Sequence, residues 1–301
     1  MKIVQPKNIT NSMLTSSVAI TETLWTSGTY SAGDKRYVTT AGYEYDYFEA
    51  LTTTTDAPVA GFLKEEPTWK RLGKINKWAM FDKRQGTQTI DVDEIDITLA
   101  VTSVIDSLVL LNIEASRVDI TATDAVEGVV YDKTIALINN ENVIDWYTYF
   151  FTEIQALTEV VKLDIPPFSN LSLNVKLYND VLGSDVAFGE LIVGTQKFIG
   201  FTQLATSIGI DDFSRKEYNQ ELDYFEIENR SFIKRATFDI QLNTSDITRV
   251  QRLLASVRAT PTIYIGEETI GALVLYGFYR NFDINFSSPS LSSCSLEVEG
   301  L

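Results

Sequence analysis

A mainly β protein is expected from this sequence: a small N-terminal β-meander module, an antiparallel β-sandwich and a C-terminal α+β domain with one amphipathic helix on a sheet. Short apolar runs alternate with polar residues at a period of two over most of the chain, the pattern of half-buried strands. Turn-forming glycine, asparagine and aspartate recur between these runs. Apolar residues at helical spacing stand out near the C-terminus, over 244–258. The expected divisions are 1–70, 71–198 and 199–301.

The chain has 301 residues, 45% of them hydrophobic, enough to bury about three quarters of its extended surface. Its net charge of -16 repels phosphate backbones and anionic headgroups, so neither nucleic acid nor a membrane surface is an expected partner. Arg249, Arg252 and Arg258 form a small basic group, which reads as a solvated helix face or a protein contact. The first residues, 1–6, lead into polar sequence rather than the apolar core of a secretory signal, and no run approaches a membrane span. Synthesis in a cytoplasm and no membrane insertion are therefore expected.

Histidine is absent, which removes Ser-His-Asp and Cys-His nucleophiles, histidine zinc sites and the usual proton shuttle. The lone cysteine, Cys294, alternates with Leu296 and Val298 and reads as a buried thiol. The 41 Asp and Glu residues offer so many chance pairs that no glycosidase pair stands out. The expectation is a protein that is not an enzyme, with no catalytic, cofactor-binding or metal-ligating residue assigned.

Within 17–70, Trp25, Tyr30, Tyr37, Val38, Tyr43, Pro58 and Trp69 are interleaved with turns at Gly33-Asp34 and Ala41-Gly42. Glycine supplies the positive φ such turns need. Two or three short strands result, and the aromatic rings must supply most of their core or dock them. This pattern, with Tyr45, resembles the chitin-binding type modules of chitinases, which also occur in phage tail proteins. The resemblance implies that Trp25, Tyr43 and Tyr45 are candidates for stacking on sugar rings; the alternative is that these rings form the module's own core.

Between 71 and 198 the expected strands are 95–101, 104–113, 118–121, 129–138, 147–151, 160–163, 171–178 and 186–193. The run 104–113 is apolar on both faces, as a central sandwich strand is. Asp91, Asp93, Glu94 and Asp96 alternate between two faces, so a solvated strand is favoured over a calcium cluster. The runs 171–178 and 186–194, with a turn near Gly183, look like the closing strands of galactose-binding-like jelly rolls, and this likeness implies a jelly-roll sandwich.

Residues 199–229 read as an extended, surface-lying arm able to reach a neighbouring subunit. A strand over 232–242 follows, then an N-cap at Asn243, Thr244 or Ser245 and a helix over 244–258 with Ile247, Val250, Leu254 and Val257 on one stripe. Thr260-Pro261 ends it. Strands over 262–266, 271–282 with a break at Gly277, and 292–298 complete one helix against a sheet.

Taken together, Gly189-Glu190-Leu-Ile-Val-Gly194, the 211–216 segment, Asn229-Arg230-Ser231 and the 275–300 pattern are similar to structural proteins of tailed phages. The implied function is a structural component of a bacteriophage tail, at the tail tip, baseplate or fibre-attachment region. It would act through contacts with other virion tail proteins and copies of itself. Two alternatives stay open, a carbohydrate-binding adhesin contacting host glycans and a neck or collar protein.

Overall fold

A computed structural model of the chain describes residues 1–139, 145–151, 155–219, 223–268 and 270–301. It is mainly β, with 51% strand against 10% helix, in antiparallel sheets. The first elements are β1 (Lys2–Pro6), β2 (Leu14–Ser16), β3 (Lys35–Tyr37), β4 (Asp46–Ala50), α1 (Pro58–Phe62), β5 (Trp69–Lys74) and α2 (Asn76–Ala79). Then come β6 (Thr89–Val92), β7 (Glu94–Val101), β8 (Ser107–Glu114), β9 (Arg117–Asp124), β10 (Gly128–Ala136), β11 (Ile138–Asn139), α3 (Trp146–Phe151) and β12 (Gln155–Ala156). Next are β13 (Glu159–Lys162), β14 (Leu171–Tyr178), β15 (Asp185–Phe198), β16 (Phe201–Thr202), β17 (Ser207–Asp212), β18 (Arg215–Asn219) and β19 (Tyr224–Glu228). The chain ends with β20 (Phe232–Asn243), α4 (Ile247–Ser256), β21 (Thr262–Ile265), β22 (Val274–Asn285) and β23 (Leu291–Gly300).

Where the sequence suggests three divisions, the chain forms two compact units, Ile9–Ile192 on one side and Met1–Asn8 with Val193–Leu301 on the other. In the first, β7, β14, β9 and β10 neighbour one another in that order, and so do β6, β15, β8 and β13. Counting these eight strands along the chain gives the orders 2-7-4-5 and 1-8-3-6, the two interlocked Greek keys of a jelly roll. The register explains why the pattern holds. Ile97, Val175 and Ile120 lie abreast, as do Leu99, Leu173 and Ala122, and all six are buried. A slip of one residue would turn Ser172, Asn174 and Lys176 inward, so the register is strongly specified. Each fully buried branched side chain contributes roughly 1.5–3 kcal/mol. The apolar run around β8 is buried from Leu108 to Leu111, as its place between β13 and β15 requires.

The same unit carries the small aromatic module, the three-stranded sheet β3-β4-β5. Tyr30, Val38, Phe48, Ala50 and Trp69 form its core, with Trp25, Tyr43, Val59 and Phe62 packed against it. Gly33 and Gly42 take φ of 89° and 83°, as the turns demand. Residues 147–151, read as a strand, form helix α3 instead. An aromatic run of that length has no decisive period.

In the second unit β1 is an interior strand, paired on both edges. It lies between the Val193–Phe198 part of β15 and β21, with Ile3 and Val4 buried. The order continues β21-β22-β23-β20, with β16 and β17 both pairing β20. Ala236, Phe238, Ile240, Leu242, Cys294, Leu296 and Val298 face α4, whose Val250 and Leu254 are buried against them. The expected N-cap is replaced by a 3-10 turn over Thr244–Asp246 leading into α4, with no side-chain cap at either start. Thr244 Oγ1 instead meets Ser292 Oγ at 2.8 Å. Gly277 does not break its strand: it pairs with Gly300, and the irregularity falls between Tyr279 and Asn281.

Candidate assembly surface

The connector over 201–231 is built of strands. Strand β17 pairs with the start of β20, Ile210 opposite Lys234 and Asp212 opposite Phe232. Asp212 Oδ1 then accepts the Ser214 N–H at 2.8 Å, and Ser214 Oγ accepts the Arg230 N–H at 3.1 Å. These bonds, with Phe213 N–H to Ser231 O at 3.2 Å, close the neck from which the β18–β19 hairpin leaves. Ser214 donors hold the Asp212 carboxyl below the usual carboxylate range.

Cross-strand partners share a face. Tyr218 faces Phe225 and Lys216 faces Ile227 on one side, while Arg215 faces Glu228 and Glu217 faces Glu226 on the other. The first side is apolar: the Tyr218 and Phe225 rings lie 5.2 Å apart, and the Lys216 ammonium sits 3.9 Å from the Phe225 centroid. Ile208, Ile210 and Phe232 add a second patch where β17 meets β20. All of these side chains except Lys216, together with Phe213 and Tyr224, are at least 47% exposed. Large apolar groups are thus concentrated along this segment rather than scattered singly.

Charges do not dominate the arm. Arg215 lies 3.2 Å from Glu217, Arg230 2.7 Å from Glu228 and Arg235 3.1 Å from Asp211. Such exposed pairs contribute at most about 1 kcal/mol each, but they neutralise one another. Within the β18–β19 sheet each strand has one paired edge and, among the described residues, one edge with no strand beside it. Open backbone edges beside apolar side chains suit pairing with another chain. The segment 199–229 is largely surface-lying, as expected, and its apolar side is signalled in the sequence by Tyr218, Phe225 and Ile227 set among charges.

The three rings considered for sugar stacking are each half-buried. Trp25 and Tyr43 are half-buried against the module core. Tyr43 lies 6.3 Å from Phe48 and 6.5 Å from Phe62, with the Arg71 guanidinium 5.7 Å over its ring. Tyr45, also half-buried, stacks on Trp78 at 4.8 Å and neighbours Tyr37 at 6.3 Å. Beneath the module sheet, the fully buried Asp46 carboxylate lies 2.7 Å from Arg71 Nε and 2.9 Å from Lys74 Nζ.

Asp93 sits at the β6–β7 junction with φ 65°, its carboxylate accepting the Gly183 N–H. Glu94 and Asp96 pair with Lys176 at 3.0 and 3.9 Å. Among the described residues no three carboxylates or thiols converge as metal ligands. Cys294 is buried in the second unit's core, and burial pushes its thiol up to about 11. Arg249, Arg252 and Arg258 lie on exposed positions of α4 and its end.

Glu190 was not singled out by sequence, although a lone acid within an apolar run is a signal. It is 2% exposed on β15, beneath the loop after α2. Burial, with Asp82 nearby, pushes its carboxyl up to about 8, while the Lys83 and Arg84 peptide N–H groups pull the other way. Asp82 is itself held by Arg84 N–H at 2.8 Å and Thr87 Oγ1 at 2.6 Å, and Asn112 Nδ2 donates to Gln85 O at 2.6 Å. Glu190 therefore anchors a loop.

No protein-family model matches the chain, and no curated protein matches it.

Proposed function

We propose that this protein is a structural subunit of a bacteriophage tail, at the tip, baseplate or fibre-attachment region, acting through contacts with other tail proteins and with its own copies. The supporting observation is the exposed apolar hairpin and the patch at its base, with open strand edges beside them. Burying such side chains against a partner gains about 25 cal/mol per Å² of apolar surface, and edge pairing adds backbone hydrogen bonds without special side chains. The virion setting is the expectation that the resemblance of the 189–300 motifs to tailed-phage structural proteins raises. Trp25 and Tyr43 pack against the core of the aromatic module and Tyr45 stacks on Trp78 of α2, which supports assembly over carbohydrate adhesion.

The test is a cryo-EM comparison of phage particles with and without the subunit. Loss of ordered density and of a defined tail feature is the expected result. Unchanged tails, or absence of the chain from purified particles by mass spectrometry, would reject the reading.

A further inference from the structure

We infer that the β18–β19 hairpin joins the hairpin of a second copy edge to edge, β18 of one chain against β19 of the next. This rests on the assembly reading and specifies its partner and geometry.

A two-stranded hairpin standing apart from a larger sheet is marginally stable, because half of its backbone groups have no strand partner. A third strand satisfies one open edge and extends its apolar side. Strand β18 carries Arg215, Lys216 and Glu217, whereas β19 carries Glu226 and Glu228 and no cation. Every pairing centred on these strands sets two carboxylates opposite each other, Glu217 on Glu217, Glu226 on Glu226 or, in the mixed pairing, Glu217 on Glu226; only the mixed pairing offsets this by bringing the cations of β18 against the acidic β19. Pairing β18 with the next copy's β19 repeats the register already present within the hairpin, Arg215 opposite Glu228 and Tyr218 opposite Phe225. It also prolongs the strip formed by Lys216, Ile227, Tyr218 and Phe225.

Such a contact is heterologous: the two surfaces differ, so successive copies build a ring if the rotation closes. A net charge of -16 per chain opposes association over a distance set by the Debye length. Added salt should thus promote assembly, the reverse of its effect on a contact between oppositely charged partners.

Cross-linking with the full chain separates the possibilities. One preparation carries Lys216→Cys and a second, differently tagged, carries Ile227→Cys; both sites are on the hairpin surface, and Cys294 is buried. Mixed under mild oxidation, the two should yield disulfide-linked pairs containing both tags. Each variant alone should give none, since like positions on successive hairpins lie two strand spacings apart, about 9.5 Å, beyond disulfide reach. Like-with-like cross-links would overturn the inference in favour of a two-fold contact. Sedimentation velocity gives the second readout: Ile227→Asp should lose the larger species while its circular dichroism stays unchanged. Larger species without mixed cross-links would overturn the hairpin contact and leave the assembly reading standing. A monomer under all salt conditions would overturn the hairpin contact, while incorporation into particles would still be judged by mass spectrometry of purified virions.

Discussion

Tyr45 and Trp78 stack face to face, with centroids 4.8 Å apart and planes 11° from parallel. An offset ring pair of this kind contributes about 0.5–1.5 kcal/mol beyond the area it buries. Tyr45 reaches this position from a left-handed backbone, φ 61°, which is uncommon for a residue with a side chain. Its ring is thus committed to the junction of β4 with α2. Tyr45→Ala should lower stability by roughly 1–3 kcal/mol, read from denaturant unfolding followed by tryptophan fluorescence. An unchanged midpoint, together with lost glycan-array binding, would return Tyr45 to the role of a sugar platform.

Trp69 is the centre of the aromatic module. It is fully buried, meets Tyr30 edge-on at 5.4 Å and donates its indole N–H to Asp56 O at 3.1 Å. Trp69→Ala leaves a cavity that so small a core cannot refill, with an expected cost of about 3–5 kcal/mol. Limited proteolysis should then cut within 17–75. A fragment pattern identical to the parent's would refute this placement of the core.

Glu190 makes the jelly-roll unit's stability depend on pH. Its folded-state value of about 8 lies above the ordinary carboxyl value near 4.3. Below pH 4 the group is protonated in both folded and unfolded chains and imposes no penalty. Between pH 4 and 8 the unfolded chain gives up its proton while the folded one keeps it, so stability falls as pH rises. Glu190→Gln retains the shape and removes the charge. The variant should flatten this slope and be more stable than the parent at pH 8 by on the order of a few kcal/mol. Urea midpoints measured from pH 5 to 9 check it; parallel curves for the two proteins would contradict it.

Gly277 is required for close approach rather than for a turn. A Cβ there would stand 2.0 Å from Glu299 O, a backbone atom that cannot swing away. Gly277→Ala should destabilise the second unit by roughly 1–3 kcal/mol and raise amide exchange along β22 and β23. Protection matching the parent's in these strands would show that the backbone absorbs the methyl group.

Several local features were legible in the residues alone. The alternation in 171–178 returns as β14, every second side chain buried, and Ile247, Val250 and Leu254 return as the stripe of α4 packed in the sheet's core, with Val257 buried just past the helix end. A single isolated thiol in an apolar alternation was likewise readable. These features are local, because periodicity records which face of an element leaves water, and that is written in consecutive residues.

Partnership is another matter. That Ile3 and Val4 lie between β15 and β21 joins residues nearly two hundred and more positions apart, and nothing in the 2–6 run names those partners. The jelly-roll order, the helical state of 146–151, the loop beneath which Glu190 is buried and the stacking of Tyr45 on Trp78 all depend on neighbours distant in sequence. Backbone hydrogen bonding is the same for every strand, so choice among strands comes from side-chain fit and connection geometry, which exist only once the chain has folded.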